Sequence, residues 1–159
     1  MLHQPAHPIP RITDQVRRLA RDMIDTMYAN KGIGLAAPQV GQAIQLFVAN
    51  PSEQRRNEVV MLNPVLETVG GRASVVEGCL SLPDVWERVR RAGSVRVRGQ
   101  DLSGAVVTIE AAGLLAIILQ HELDHLAGHL FIDRLPWFRR RRLHRQPHAA
   151  GATACTSLP

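Results

Sequence analysis

The sequence predicts an α+β fold in which antiparallel β-sheets pack around a central buried helix, with an amphipathic helix near the N-terminus. An apolar run over 113–130 predicts the central helix, and apolar residues at helical spacing over 12–30 predict the amphipathic one. Short segments of strand composition lie between the two helices. A chain of 159 residues supports one such domain and is too short for two comfortable ones.

Each element can be justified from its residues. Thr13 or Asp14 can cap the first helix, and Gly128 is expected near the end of the second. Residues 32–41 contain three glycines and are not expected to form a regular helix or strand. Their small side chains allow the backbone to approach a neighbour closely. The stretch lacks the Gly-Lys-Ser/Thr ending of a phosphate-binding loop.

Five segments have the composition of strands. They are residues 44–49, 59–62, 65–69, 94–98 and 105–110. Asn63-Pro64 is expected to separate the second from the third, because proline cannot donate to a ladder hydrogen bond. A loop over 101–104 joins the last two as a hairpin.

Composition divides the chain into three parts: a loose proline-containing segment over 1–11, a single domain over 12–135, and a basic tail over 136–159. The net charge is +5, with 18 arginines against one lysine, and five of these arginines lie within 139–145. Such a cluster can contact nucleic acid, of which a ribosome is one example, but a solvated basic tail is the alternative that we favour. We expect no DNA partner.

The remaining composition favours a cytoplasmic protein. The longest apolar run is interrupted by His, Glu and Asp, so no membrane span is expected, and no secretory signal is visible at the N-terminus. The two cysteines, Cys79 and Cys155, are not expected to form a disulfide, because nothing indicates an oxidising compartment.

The predicted central helix carries a pattern of metal-dependent hydrolases. His121 and His125 are four residues apart, so they lie on one face of the helix and can bind one metal ion. Glu122 can handle the proton of a metal-bound water, which completes the H-E-x-x-H pattern. Two hydrogen-bonded core histidines are the alternative. A metal is favoured because burying these groups among apolar residues is costly without a cation.

A third protein ligand is expected upstream of the helix. Hydrolytic metals usually have three protein ligands. The position of a third histidine in H-E-x-x-H-x-x-G-x-x-H is Phe131, and no Glu follows Glu122. Asp133 is the only carboxylate side chain after His125, and it lies close behind the helix end. His129 is two turns beyond His121, so it cannot share the metal held by His121 and His125. We therefore expect Cys79, a thiolate candidate beside Gly78 in a predicted loop, to be the third ligand.

Three stretches together resemble the signature motifs of the peptide deformylase family. They are Gly32-Ile33-Gly34-Leu35-Ala36-Ala37-Pro38-Gln39, Glu77-Gly78-Cys79-Leu80-Ser81 and Gln120-His121-Glu122-Leu123-Asp124-His125. They occur in the order and with the separations of that family, and the resemblance covers residues 12–135. Any one motif would be weak alone, but the three together are highly specific.

The resemblance implies a hydrolase of protein biosynthesis and N-terminal processing, which removes the formyl group from newly made N-formylmethionyl polypeptides and releases formate. Cys79, His121 and His125 would bind one divalent ion, commonly Fe(II), with Zn, Ni or Co able to substitute. A metal-bound water would be the nucleophile and Glu122 the general base and acid.

The resemblance also assigns oxyanion donors and a substrate pocket. The Gln39 side-chain amide and the Leu80 backbone N–H would donate to the developing oxyanion. The methionine pocket would be shaped by Ile33, Gly34, Leu114, Ile117 and Ile118. Ordinary core packing is the alternative for each apolar residue of this set.

The chain departs from the family at the mouth of the pocket. Lys31 stands where many members have an acidic residue, and Trp86 stands where they have an arginine. Two other functions remain open at this point. One is an H-E-x-x-H peptidase of another kind, and the other is a deformylase-like binding protein without turnover. The intact Cys79, Glu122 and Gln39 argue against the second.

Overall fold

The computed structural model describes residues 2–52 and 54–143, so Arg145 and Cys155 lie outside the described residues. The helices are α1 (Asp14–Ala29), α2 (Gly113–Leu126) and α3 (Trp137–Leu143). The strands are β1 (Gly34–Ala36), β2 (Leu46–Ala49), β3 (Val59–Gly70), β4 (Ala73–Cys79), β5 (Leu82–Arg91), β6 (Ser94–Gln100) and β7 (Val106–Ala112). Single 3₁₀ turns cover Ala37–Val40 and Phe131–Arg134.

The strands form two antiparallel sheets. The larger has the order β1-β2-β3-β6-β7, and the smaller is the hairpin of β4 and β5. Helix α2 packs on β1, β2, β6 and β7, and its polar side chains bond to the hairpin. The predicted α+β fold with antiparallel sheets around a central helix is confirmed. None of the helices within the described residues is long and apolar enough to cross a membrane.

The amphipathic pattern predicted for the first helix is confirmed. The Thr13 hydroxyl accepts a hydrogen bond from the Val16 N–H at 3.4 Å, which satisfies a free donor of the first turn. Ala20, Met23 and Met27 recur every three or four residues and are buried against the large sheet.

Helix α2 enters the core because residues 114–119 are all apolar. Ala116, Ile117, Ile118 and Leu119 are all buried. The helix ends shortly before Gly128, which has a φ of +79°. This left-handed conformation favours glycine and stops the helix. A β-carbon at Gly128 would also lie 2.8 Å from the backbone of the N-terminal segment.

Strand β3 corrects the prediction of two separate strands. It runs without a break through Asn63-Pro64, and its register with β6 shifts between Leu62 and Val65. Asn63 has a φ of +49°, and its side chain both accepts from the Ile9 N–H at 2.7 Å and donates to the Ile9 carbonyl at 2.9 Å. Proline is tolerated because it lies in a β-bulge, where a ladder donor is not needed.

Three further strands, β1, β4 and β5, differ from expectation, because none of them was among the five predicted segments. Residues 34–36 of the glycine-rich stretch form a short strand, β1, at the edge of the large sheet. Strand β5 was not predicted from the sequence. Its buried residues, including Val85, Val89 and Arg91, alternate with exposed ones. An arginine on the buried side obscures the period-two pattern in the sequence.

The segments outside 12–135 pack more closely than expected. The prediction of a loose N-terminus is wrong for residues 6–9, because Ala6 and Ile9 are buried and the Ala6 N–H donates to the Leu126 carbonyl at 2.8 Å. The predicted basic tail begins as α3, and its Leu143 is buried in a cluster with Phe131. Backbone and apolar contacts hold both segments to the fold.

Candidate metal centre

Helix α2 brings its two histidines together on the side that faces β4. The Nε2 atoms of His121 and His125 are 3.2 Å apart. The Sγ of Cys79, from β4, is 3.3 Å from the His125 Nε2. One donor atom from each residue lies within 4.8 Å of the other two. The structure thus brings together the three residues expected to be metal ligands.

Cys79 is held at the point where β4 turns into β5. It is the last residue of β4 rather than part of a loop, and it is opposite Leu82 across the hairpin. The Ser81 N–H and the Gln39 side-chain amide each lie 3.4 Å from its sulfur. These two donors fix the position of the sulfur in the site.

The donor set fits a divalent transition metal. A thiolate and two imidazoles suit Fe(II), Zn, Ni or Co, and three protein ligands leave a coordination position open. The Glu77 carboxylate can only accept a hydrogen bond, so His121 Nδ1 carries a proton and its Nε2 is the ring nitrogen that faces His125. Within the described residues, Glu122 Oε2 is a buried acceptor without a hydrogen-bond partner.

A chain of buried charges holds the histidine helix against the hairpin. The Glu77 carboxylate accepts from His121 Nδ1 at 2.9 Å and from two nitrogens of Arg91 at 2.7 and 2.9 Å. Arg91 also donates to Asp124 on α2 at 2.6 Å, and Arg134 donates to the same carboxylate. Ion pairs thus join α2 to the hairpin, and the side chains of Arg91, Glu77 and Asp124 at the centre of this network are buried.

The pKa values of this cluster favour the charged forms. Burial tends to raise the pKa of Glu77, but hydrogen bonds from Arg91 and His121 lower it to about 2. Burial likewise opposes ionisation of Asp124, and its two arginine partners lower the pKa overall. Each carboxylate is therefore ionised and available to orient its partner.

The two histidines have opposite pKa shifts. Burial and the neighbouring charge of His121 lower the pKa of His125 to about 3, so its ring is neutral and can bind a metal. Burial would lower the pKa of His121 as well, but its contacts with Cys79 and Glu77 raise it to about 10. Cation binding at His121 is consequently coupled to release of a proton.

Glu122 lies deep in the site beside β1. It is 2% exposed, and burial raises its pKa to about 7. A β-carbon placed at Gly34 would lie 2.2 Å from Glu122 Oε1 and 2.9 Å from a methyl carbon of Ile118. Gly34 therefore gives the carboxylate its space, which is the close approach that the glycine-rich stretch was expected to provide.

Gln39 is oriented towards the sulfur by its own turn. Its Oε1 accepts from the Ala36 N–H at 2.8 Å, and its Nε2 also donates to the Ser81 hydroxyl at 3.1 Å. Leu80 follows Cys79 in the hairpin turn, with its side chain 44% exposed. Both candidate oxyanion donors therefore lie next to the cysteine.

The residues expected to line a pocket fall into two groups. Ile117 and Ile118 are buried in α2. Ile33 and Leu114 are 45% and 54% exposed. The exposed pair leaves apolar surface that a bound side chain would cover.

Sequence reasoning missed three residues that support the ligands. Glu77 lies inside a quoted motif but had no assigned role, and Arg91 and Arg134 were not singled out. Asp124 was expected either to orient a ligand or to pair with an arginine, and it pairs with both of these arginines. The signal that could have revealed Arg91 was its spacing, by an even number of residues, from Val89 and Val85, which places it on the same face of β5.

Comparison with known proteins agrees with this geometry. A sequence model of the polypeptide deformylase family matches residues 1–141. The chain belongs to the polypeptide deformylase family. It is 43% identical over 141 residues to a peptide deformylase of Buchnera aphidicola, covering 89% of this chain and 82% of that protein.

Solved structures show the same fold. A crystal structure of a peptide deformylase from Legionella pneumophila matches with a TM-score of 0.86 and 38% identity, covering 91% of this chain and 85% of that one. Peptide deformylase from Thermus thermophilus matches with a TM-score of 0.83 and 44% identity, covering 89% of this chain and 83% of that one.

Family membership confirms the resemblance seen in the three motifs. The protein is a metal-dependent hydrolase that removes the N-formyl group from nascent peptides. The two other functions, a different H-E-x-x-H peptidase and a binding protein without turnover, are thereby set aside.

Proposed function

We propose that Cys79, His121 and His125 hold one divalent cation, most suitably Fe(II), and that this centre removes the formyl group from N-formylmethionyl peptides. The observation that carries the proposal is the convergence of one sulfur and two nitrogen donors within 4.8 Å. Zn, Ni and Co suit the same donors. When bound, the cation supplies Lewis acidity and lowers the pKa of water at the site.

Glu122 is the proton carrier in this proposal. Its carboxylate accepts a proton as the water oxygen bonds to the formyl carbon, and it returns that proton to the methionine nitrogen as the carbon–nitrogen bond breaks. Formate and a free amine leave. The pKa of about 7, raised by burial, suits both steps because the group then exchanges a proton readily near neutral pH.

Gln39 and Leu80 stabilise the negative charge that develops on the formyl oxygen. The Gln39 amide is supported by its hydrogen bond from Ala36, so its Nε2 is directed to the cysteine side of the site. The backbone N–H of Leu80 comes from the adjacent turn. Two fixed donors cost little reorganisation during the reaction.

The peptide lies along the edge of β1 in an extended form. Within the described residues, β1 pairs with β2 on one side, so its other edge is available to a peptide strand. The methionine side chain enters the apolar pocket, whose members are Ile33, Gly34, Leu114, Ile117 and Ile118. A glycine at position 34 keeps the peptide close to Glu122.

Contact with a ribosome through the arginine-rich tail stays a prediction, as does a cytoplasmic location. Arg140 pairs with Asp133 at 2.9 Å, and Arg139 and Arg142 approach Glu87 at 3.6 and 3.7 Å. All three arginine side chains remain at least 45% exposed, so they can still meet phosphates. A thiolate ligand favours a reducing compartment.

The proposal is tested by formate release from formyl-Met-Ala-Ser with anaerobically prepared protein loaded with Fe(II), Ni(II) or Co(II). We expect release with the wild-type chain. Glu122→Ala should lower kcat by about 100-fold or more while the metal content, measured by mass spectrometry, stays unchanged. Glu110→Ala is the matched control, because this glutamate is exposed and pairs with Arg96 at the surface.

Two results would contradict the proposal. The absence of formate with all three metals would refute the activity assigned to this centre. Loss of metal together with activity in Glu122→Ala would mean that the carboxylate helps to bind the cation rather than to carry the proton.

A further inference from the structure

Trp86 is an exposed aromatic residue beside the metal centre to which the reaction assigns no role. It lies in β5 with 70% of its surface exposed. Single apolar residues at the surface are common and need no explanation by themselves. Trp86 differs because its position is fixed by a specific contact with the strand that carries Cys79.

The indole of Trp86 lies across Gly78. A β-carbon built on Gly78 would come within 2.7 to 2.9 Å of three carbons of the six-membered ring. Any other residue at this position would push the ring away. Because Gly78 directly precedes Cys79, the glycine holds the aromatic ring one residue from the candidate sulfur ligand.

The ring lies on the outer face of the hairpin. Glu77 and Cys79 direct their side chains towards α2, where they contact His121 and His125. Because side chains alternate along a strand, Glu77 and Cys79 share the face towards α2, and Gly78, between them, lies on the other face with Trp86. The indole thus covers the hairpin backbone one residue from Cys79, on the face away from α2.

Other exposed apolar groups continue this surface. Val76 is 54% exposed on the same face of β4, and Leu80 is 44% exposed in the turn. The Leu80 side chain reaches to within 3.2 Å of a β-carbon position at Gly32, just before β1. The apolar rim therefore connects the hairpin to the strand edge where the peptide is proposed to lie.

The alternation of an extended peptide fixes which of its residues meets this rim. The methionine side chain enters the pocket on the α2 side, so the side chain of the second residue points the opposite way. We propose that Trp86 is a specificity-determining residue that stacks on the side chain of the second peptide residue and favours aromatic or large apolar groups there. This inference rests on the proposed function.

The test compares kcat/KM for formyl-Met-Phe-Ser and formyl-Met-Gly-Ser. In the wild-type chain the phenylalanine peptide should be preferred. Trp86→Ala should reduce that preference about threefold to tenfold, which is the range of an aromatic pair, and leave the glycine peptide within about twofold. Trp86→Phe should keep most of the preference because an aromatic ring remains.

Trp137→Ala is the matched control. Trp137 is 72% exposed on α3, so the substitution removes an equally exposed tryptophan that is not part of the β4–β5 hairpin. The ratio between the two peptides should be unchanged in this variant.

A binding measurement gives an independent readout. The chain has two tryptophans, so Trp86 is the sole fluorophore of its kind in Trp137→Phe. The product peptide Met-Phe-Ser should change the emission of that variant more than Met-Gly-Ser does. Equal responses to the two peptides would overturn the proposal even if Trp86→Ala folds poorly.

The outcomes separate this inference from the proposed function. If wild-type protein releases formate but Trp86→Ala keeps the wild-type ratio, the role of Trp86 is refuted and the activity stands. If formyl-Met-Gly-Phe shows the Trp86-dependent preference instead, the assignment to the second residue is wrong. If no peptide yields formate, the proposed function itself has failed.

Discussion

Replacing Glu77 by glutamine tests whether the buried charges support the proposed metal ligands. Three hydrogen bonds converge on this carboxylate, two from Arg91 and one from His121 Nδ1, all between 2.7 and 2.9 Å. Glutamine has the same size but offers one oxygen and one NH2 group. In either orientation of the amide, at least one donor would face another donor at a side chain that is 5% exposed.

The expected cost follows from these contacts. One charge-assisted hydrogen bond contributes about 1.5 to 3 kcal/mol, and a buried donor left without an acceptor costs about 1 to 3 kcal/mol. Their sum predicts that Glu77→Gln lowers the free energy of unfolding by about 2.5 to 6 kcal/mol, a range that includes the roughly 3 to 5 kcal/mol for breaking a buried ion pair. Because His121 loses its fixed orientation, metal affinity should fall about 10- to 100-fold.

Two measurements check this prediction: urea unfolding followed by circular dichroism in the presence of a chelator, and Zn(II) affinity by competition with a coloured chelator. Glu67→Gln is the matched control, because Glu67 also pairs with two arginines, Arg96 and Arg98, but at the surface. It should cost less than about 1 kcal/mol and leave metal affinity unchanged. Equal unfolding free energies and equal Zn(II) affinities for the two variants would refute the reasoning.

Two further predictions concern space and packing. Gly34→Ala should reduce kcat about 100-fold, because its β-carbon would displace the Glu122 carboxylate. Gly93→Ala is the control and should stay active, because its β-carbon would meet nothing closer than 3.6 Å. Formate release measures both variants, and equal rates would contradict the prediction. Met27→Ala should lower the free energy of unfolding by about 2 to 5 kcal/mol, because Met27 is fully buried. A change below about 1 kcal/mol in urea unfolding would show that the surrounding apolar side chains collapse into the cavity.

Much of the catalytic centre could be predicted because its geometry is local. Helix periodicity alone places His121 and His125 on one face, and the apolar residues around them predict that this helix is buried. Cys79 could be chosen as the third ligand by comparing the possible ligand residues along the whole sequence, which does not require knowing how the chain folds. The three motifs by themselves indicate the family.

The supporting charges could not be predicted because they depend on long-range packing. Arg91 is 14 residues from Glu77 and 33 from Asp124, and it joins them only when the hairpin of β4 and β5 packs against α2. The same limit explains the errors at β3 and at the N-terminus. The Asn63 side chain forms hydrogen bonds with the backbone of Ile9, 54 residues away. This long-range contact stabilises a β-bulge where the sequence predicted the end of a strand.

The sequence by itself determined the two main helices, the antiparallel strand class and the residues able to bind a metal, because helix spacing, strand alternation and ligand chemistry are properties of neighbouring residues. Tertiary structure alone decided how the sulfur and the two imidazoles converge, why Glu122 has room beside Gly34, and where the Trp86 ring lies. These features depend on distances between segments far apart in the chain. Such distances are set by how the two sheets pack against α2, and local patterns do not contain them.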